Sequence, residues 1–154
     1  MHHLISIIEP IIQWGTTPKL NIPNGELTLK QALISLYQEY LAIAGKTPVD
    51  EKDYPDPPDF NFEKISNTIR SNFPKLGFYQ MILDPFEMTK PDTGLGDAND
   101  DLSDIIKDLM EVQWRFKNTS EQDALWYFEF IMRNHSERHI VNLLKTLKDL
   151  EEEL

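Results

Sequence analysis

The sequence predicts an all-α protein, a helical bundle of about five helices forming one domain over residues 1–154. Three observations carry that prediction. Apolar residues return at helical spacing in several long stretches. Those stretches open on Thr or Asn side chains suited to capping and close on Gly or Pro. Only one short segment has any strand character, and a lone strand has nothing to pair with.

Composition sets the outer limits. At 154 residues the chain is long enough to bury a substantial core, and 40% hydrophobic with 27% charged residues is ordinary folded composition. The chain has no cysteine, which excludes a disulfide framework, a thiolate ligand and a cysteine nucleophile, and fits a reducing, cytoplasmic compartment. The formal charge is −11, with most of the acidic excess beyond residue 83. Such a field repels phosphate backbones, so direct nucleic-acid binding is not expected; a basic protein partner or a metal cation is favoured instead.

The first helix is expected over residues 3–13, carrying Leu4, Ile8, Ile11 and Ile12, with Pro10 kinking or dividing it. It is too short to span a bilayer and lacks a basic leader, so neither membrane insertion nor a secretory signal is expected. His2 and His3 sit at the terminus and are set aside as ligands. Pro18, Pro23 and Asn24-Gly25 mark a loop, so residues 1–26 read as an N-terminal helix and loop.

Thr28 with Gln31 reads as a capping box opening a second helix. Leu29, Leu33, Leu36, Tyr40 and Ile43 form its core face, and Gly45 followed by Pro48 ends it. Residues 46–60, with four prolines and five acids, form a long loop. Asn61 caps a third helix with Ile65, Ile69 and Phe73 inward, which stops before Pro74. Residues 78–83 read as a further helical turn or two, and 84–99 as a second long loop.

The next helix, about Asp100 to Phe116, buries Leu102, Ile105, Ile106, Leu109 and Val112, while Asp101, Asp104 and Asp108 line one flank of that arc. Thr119 with Gln122 reads as another capping box. A final helix runs from about Ser120 to Leu150, continuous or bent near Asn134, and residues 151–154 form a solvated acidic tail. Leu125, Phe128, Met132, His135, His139, Leu143 and Leu150 share one of its stripes.

A short connection makes the last two helices antiparallel neighbours, so Asp101, Asp104 and Asp108 are expected to face His135 and His139. Histidines four apart share a helix face and suit two ligands on one cation. With Asp104 and Asp108 as further ligands, the donor set fits Zn²⁺, Mn²⁺, Fe²⁺ or Ni²⁺. The alternative is a hydrogen-bonded Asp/His network with Arg138 as its cation. His135-Ser136-Glu137-Arg138-His139 is not HExxH, because the glutamate falls one place late.

The segment Asp100-Asp101-Leu102-Ser103-Asp104-Ile105-Ile106-Lys107-Asp108-Leu109, with Trp126 and then His135 and His139, resembles a bacterial family of small all-helical proteins described as a domain of unknown function (5063). That family pairs an Asp-Asp-Leu-Ala-Asp-Ile-aromatic-x-Asp-Leu helix with a later His-Trp-Gly-x-His element. Ile106 stands in place of the aromatic, and Ser136-Glu137 in place of Trp-Gly, which marks a divergent member. The resemblance implies an all-α fold and no established activity. Two functions remain open: a protein-interaction or accessory module, or a metal-dependent hydrolase, of phosphoesters for example, with the 84–99 loop as lid.

Overall fold

The computed structural model describes residues 2–152. Four helices and a small hairpin precede one long helical run. They are α1 (His3–Thr16), α2 (Gly25–Ile43), α3 (Phe62–Asn72), β1 (Phe78–Ile82), β2 (Thr93–Asp97) and α4 (Ala98–Asn118); α5 (Glu121–Ile131), a π-helical turn over Met132–Ser136 and α6 (Glu137–Glu152) then follow without a break. Counted as rods these are the five expected helices.

The middle of the bundle is α4, in contact with α1, α3, α5 and α6. Its Leu102, Ile105, Ile106, Leu109 and Val112 are buried. They meet Leu4, Ile8, Ile11 and Ile12 of α1, Ile65 and Ile69 of α3, and Phe128, Met132, Ile140, Leu143 and Leu147 of the final run in one core cluster. Burial of each such side chain contributes about 1.5–3 kcal/mol against exposure. α1 crosses so close that a Cβ at Gly15 would lie 2.7 Å from Ile106 Cγ2 and 3.1 Å from Ile65 Cγ2. α2 covers α1 and α6 through Leu29, Leu33 and Leu36. Among the described residues, no helix is long and apolar enough to cross a membrane.

Local chemistry explains most ends. Asn61 caps α3 by accepting from the Lys64 amide at 3.0 Å, and Gly45 takes the left-handed φ of +79° just beyond α2. The 46–60 loop is tied down rather than free. Ser120 donates to Asp50 at 2.5 Å and Tyr54 donates to the same carboxylate at 2.8 Å. Buried Glu129 accepts from the Gly45 amide at 2.5 Å and from the Thr47 hydroxyl.

Several expectations are corrected. Pro10 does not divide α1, which runs to Thr16, beyond the expected residue 13; the proline is exposed, so water can serve the Ser6 carbonyl that its missing N–H leaves free. α2 starts one turn earlier than Thr28, at Gly25. Thr28 instead donates to the Pro23 carbonyl at 2.8 Å. The cap at the next turn is Ser120, accepting from the Asp123 amide, whereas Thr119 donates to the Arg115 carbonyl and Gln122 reaches the Val49 carbonyl.

The largest correction is residues 78–97. The segment 78–83, expected as helix, contains β1, and the expected 84–99 loop contains its antiparallel partner, with Tyr79 opposite Gly96 and Gln80 opposite Leu95. The loop proper is 83–92. Glu151 and Glu152, expected as tail, complete α6 and are exposed, with Lys30 donating to Glu151 at 3.0 Å; residues 153–154 of that tail lie outside the described residues.

Candidate metal centre

Three carboxylates of α4 reach the cluster from one helix flank. Asp101, Asp104 and Asp108 lie three and four residues apart, so their side chains line up along about two turns. Asp97 caps α4 through the Asn99 amide at 2.9 Å, and Asp100 and Asp101 sit in the first turn, where the helix dipole favours negative charge. Opposite them stand the π-helical turn and the start of α6. A π turn holds one residue more than an α turn, and such turns recur at functional sites. Here it lets consecutive residues, His135 and Ser136, both meet one oxygen, Asp108 Oδ2, each at 2.7 Å.

The histidines are held at one nitrogen each. His135 Nδ1 bonds Asp108, and His139 Nδ1 bonds Asp101 Oδ1 at 2.6 Å. A carboxylate accepts, so each Nδ1 is the donor, and the lone pair of the neutral ring is left on Nε2. Those two Nε2 atoms converge to 3.3 Å, and Asp104 Oδ2 lies 3.4 Å from His139 Nε2. One ligand atom each from Asp104, His135 and His139 fits within 4.8 Å of the others. Two lone pairs at that separation repel unless a cation or a proton stands between them.

Two of the three separations, 3.3 and 3.4 Å, match those around a metal, while Asp104 and His135 are within 4.8 Å of each other. With zinc–nitrogen bonds of about 2.0–2.1 Å in a tetrahedron, neighbouring ligand atoms fall about 3.3–3.4 Å apart. With an ion bound there, Asp101 and Asp108 would be the partners that orient the two rings, the arrangement seen around histidine ligands generally.

Burial and mutual charge perturb the acids of the cluster and His139. Burial pushes the Asp108 carboxyl above its usual range, against the lowering pull of Ser136 and His135. Burial, with Asp97, Asp104 and Asp101 nearby, raises Asp100. The Asp101 hydrogen bond raises His139 against desolvation, with Asp104, Asp101 and Asp108 adding to the rise. Among the described residues no lysine or arginine pairs with Asp101, Asp104 or Asp108. Arg138 is exposed and forms no ion pair there, Arg133 pairs with Glu129, and Lys107 pairs with Asp59.

So the structure brings Asp101, Asp104, Asp108, His135 and His139 together and leaves Arg138 outside. Asp108, expected among the ligands, faces the far side of His135, and Asp101 does the same for His139. Two further members escape sequence reasoning. Ser136 enters through the π turn, for which no sequence signal exists. Tyr79 donates to Asp101 Oδ2 at 2.6 Å from the hairpin, where Gly96 leaves room for its ring, a relation that appears only once the strands pair.

The family model described as a domain of unknown function (DUF5063) matches residues 12–153, a span that includes the whole cluster. Comparison with curated proteins and with solved structures yields no match.

Proposed function

The chain belongs to the DUF5063 family, whose description assigns no reaction, and we propose from the geometry of its own residues that it is a metal-binding interaction or accessory protein. Asp104, His135 and His139 are the ligands, and Asp101 and Asp108 orient the rings. The carrying observation is the pair of Nε2 atoms facing each other at 3.3 Å while each Nδ1 is spent on a carboxylate. Imidazole with carboxylate suits Zn²⁺ foremost, with Mn²⁺, Fe²⁺ and Ni²⁺ as the other candidates. The acids that outnumber bases in the second half give the surrounding surface a field that attracts a basic partner.

A metal-dependent hydrolase is the second reading, favoured by one feature: three protein ligands leave a coordination position open for water. Against it, the Asp104 carboxylate beside His139 Nε2, with Asp101 and Asp108 behind the rings, adds negative charge that disfavours a phosphoester. Elemental analysis of purified untagged protein, with the His135→Ala variant beside it, tests the binding reading. A stoichiometric metal that the variant loses supports it; a metal-free wild type after growth and titration in zinc removes it. Turnover of a model ester by the zinc-loaded chain, absent in the variant, would move the assignment to the hydrolase.

A further inference from the structure

We propose that Tyr79 is a positioning residue of the metal centre, clasping the β1–β2 hairpin to it so that metal binding and hairpin order are coupled. This rests on the metal-binding reading of Asp104, His135 and His139.

Asp101 links the two. Its carboxylate is buried, 7% exposed, and both oxygens are engaged. Oδ1 accepts from His139 Nδ1 at 2.6 Å and Oδ2 accepts from the Tyr79 hydroxyl at 2.6 Å. A metal on His139 Nε2 draws electron density from the ring and makes Nδ1–H a stronger donor, which fixes the plane of Asp101. Fixing that plane also fixes the acceptor offered to Tyr79. Coupling of this kind acts equally in both directions.

The hairpin is built to depend on the clasp. Its strands pack mainly on each other and make few contacts with the helices. At its base the Ala98 amide donates to the Gly77 carbonyl at 2.9 Å. Apart from Asp97, which caps α4 at the end of β2, Tyr79 is the strand side chain that bonds the bundle, its hydroxyl also lying beside the Asn142 side chain of α6. Directly across the ladder stands Gly96. A Cβ there would collide with the Tyr79 ring, so the glycine is the seat in which the ring lies. The opposite face carries Phe78, Ile82 and Leu95 in the open, with Phe86 and Met88 beyond them. A change in hairpin order therefore changes how an apolar surface is presented.

The test is zinc titration by calorimetry of the wild type, Tyr79→Phe and Gly96→Ala, with amide hydrogen exchange of residues 78–97 followed with and without zinc. Tyr79→Phe keeps the ring on Gly96 and removes only the hydroxyl; Gly96→Ala displaces the ring. Both are expected to bind zinc about tenfold more weakly, the lower end for loss of such an outer partner. Zinc is expected to slow hairpin exchange in the wild type and not in Tyr79→Phe. Wild-type affinity in both variants would overturn the coupling, as would a lowered melting temperature with unchanged zinc affinity, the pattern of a merely structural tyrosine. A wild type that binds no zinc instead defeats the metal reading itself, so the two failures are distinct.

Discussion

Adding zinc to chelator-treated protein should raise its melting temperature, by an amount the ligand positions allow to be worked out. Asp104 lies on α4, His135 in the π turn and His139 on α6, so the full ligand set exists only when those elements are packed. The unfolded chain keeps just the two histidines four apart. A ligand confined to the native state stabilises it by RT ln(1 + [L]/Kd), about 2.7 kcal/mol at a hundredfold excess over Kd. For a chain of this size each kcal/mol moves the midpoint by about 2–4 °C, so the expected rise is roughly 5–11 °C. Thermal unfolding by circular dichroism at neutral pH, with chelator and then with zinc, reads it directly. His139→Ala removes one ligand and should abolish the shift, while the exposed Arg138→Ala should retain it. An unshifted melt in the wild type, or an equal shift in His139→Ala, would refute the reasoning.

Three further outcomes are expected. Gly15→Ala should destabilise the chain by about 1 kcal/mol in urea unfolding, because overpacking costs about 1–3 kcal/mol and exceeds the helix-propensity gain of about 1 kcal/mol; the new Cβ would lie 2.7 Å from Ile106 Cγ2, and a more stable variant would show that Ile106 yields freely. Glu129→Ala should cost about 2 kcal/mol, since it strips the Gly45 amide and the Thr47 hydroxyl of their acceptor; faster proteolysis within 46–60 checks the same contact. The Asp50 carboxyl is held below its ordinary 3.8 by the Ser120 and Tyr54 hydroxyls and the Lys52 amide. A depressed acid contributes its stabilisation above the ordinary value and loses it as pH falls through the folded value, so the Asp50 tie of the 46–60 loop should weaken only below pH 3.8. The Lys52 amide resonance followed by NMR should titrate below 3.8, and a midpoint at or above that value would contradict the assignment.

How much of this was legible depended on the length scale of each signal. The α4 stripe from Leu102 to Val112 repeats over many residues, so its helix and its buried face follow from periodicity. Asp101, Asp104 and Asp108 could be placed on the flank of that stripe for the same reason. Helix starts were less secure because neighbouring residues offer equivalent chemistry: Thr119 and Ser120 can each cap, and only packing selects Ser120. The hairpin was hidden by composition. Thr93-Gly94-Leu95-Gly96 has no aromatic and a single β-branched residue, Thr93, too few to read as a strand, and its glycines serve the partner strand's side chains, a purpose visible only after pairing. The π turn had no signal either. Met132, Ser136, Ile140 and Leu143 take the buried positions, while His135, assigned to the core stripe, is turned out to solvent with Asp108 as its partner.

That turn has an evolutionary consequence. A π turn amounts to one residue inserted into an ordinary helix, and the flanking segments keep packing on the same core. The genetic distance between a helix that only packs and one that presents both His135 and Ser136 to Asp108 is therefore a single codon. Deletion of exposed Asn134 should recover a plain helix with Phe128, Met132 and Leu143 still inward, and so yield a folded chain stripped of the cluster's geometry. Insertions and deletions, rather than substitutions, are then the changes to follow when asking which relatives share this chemistry.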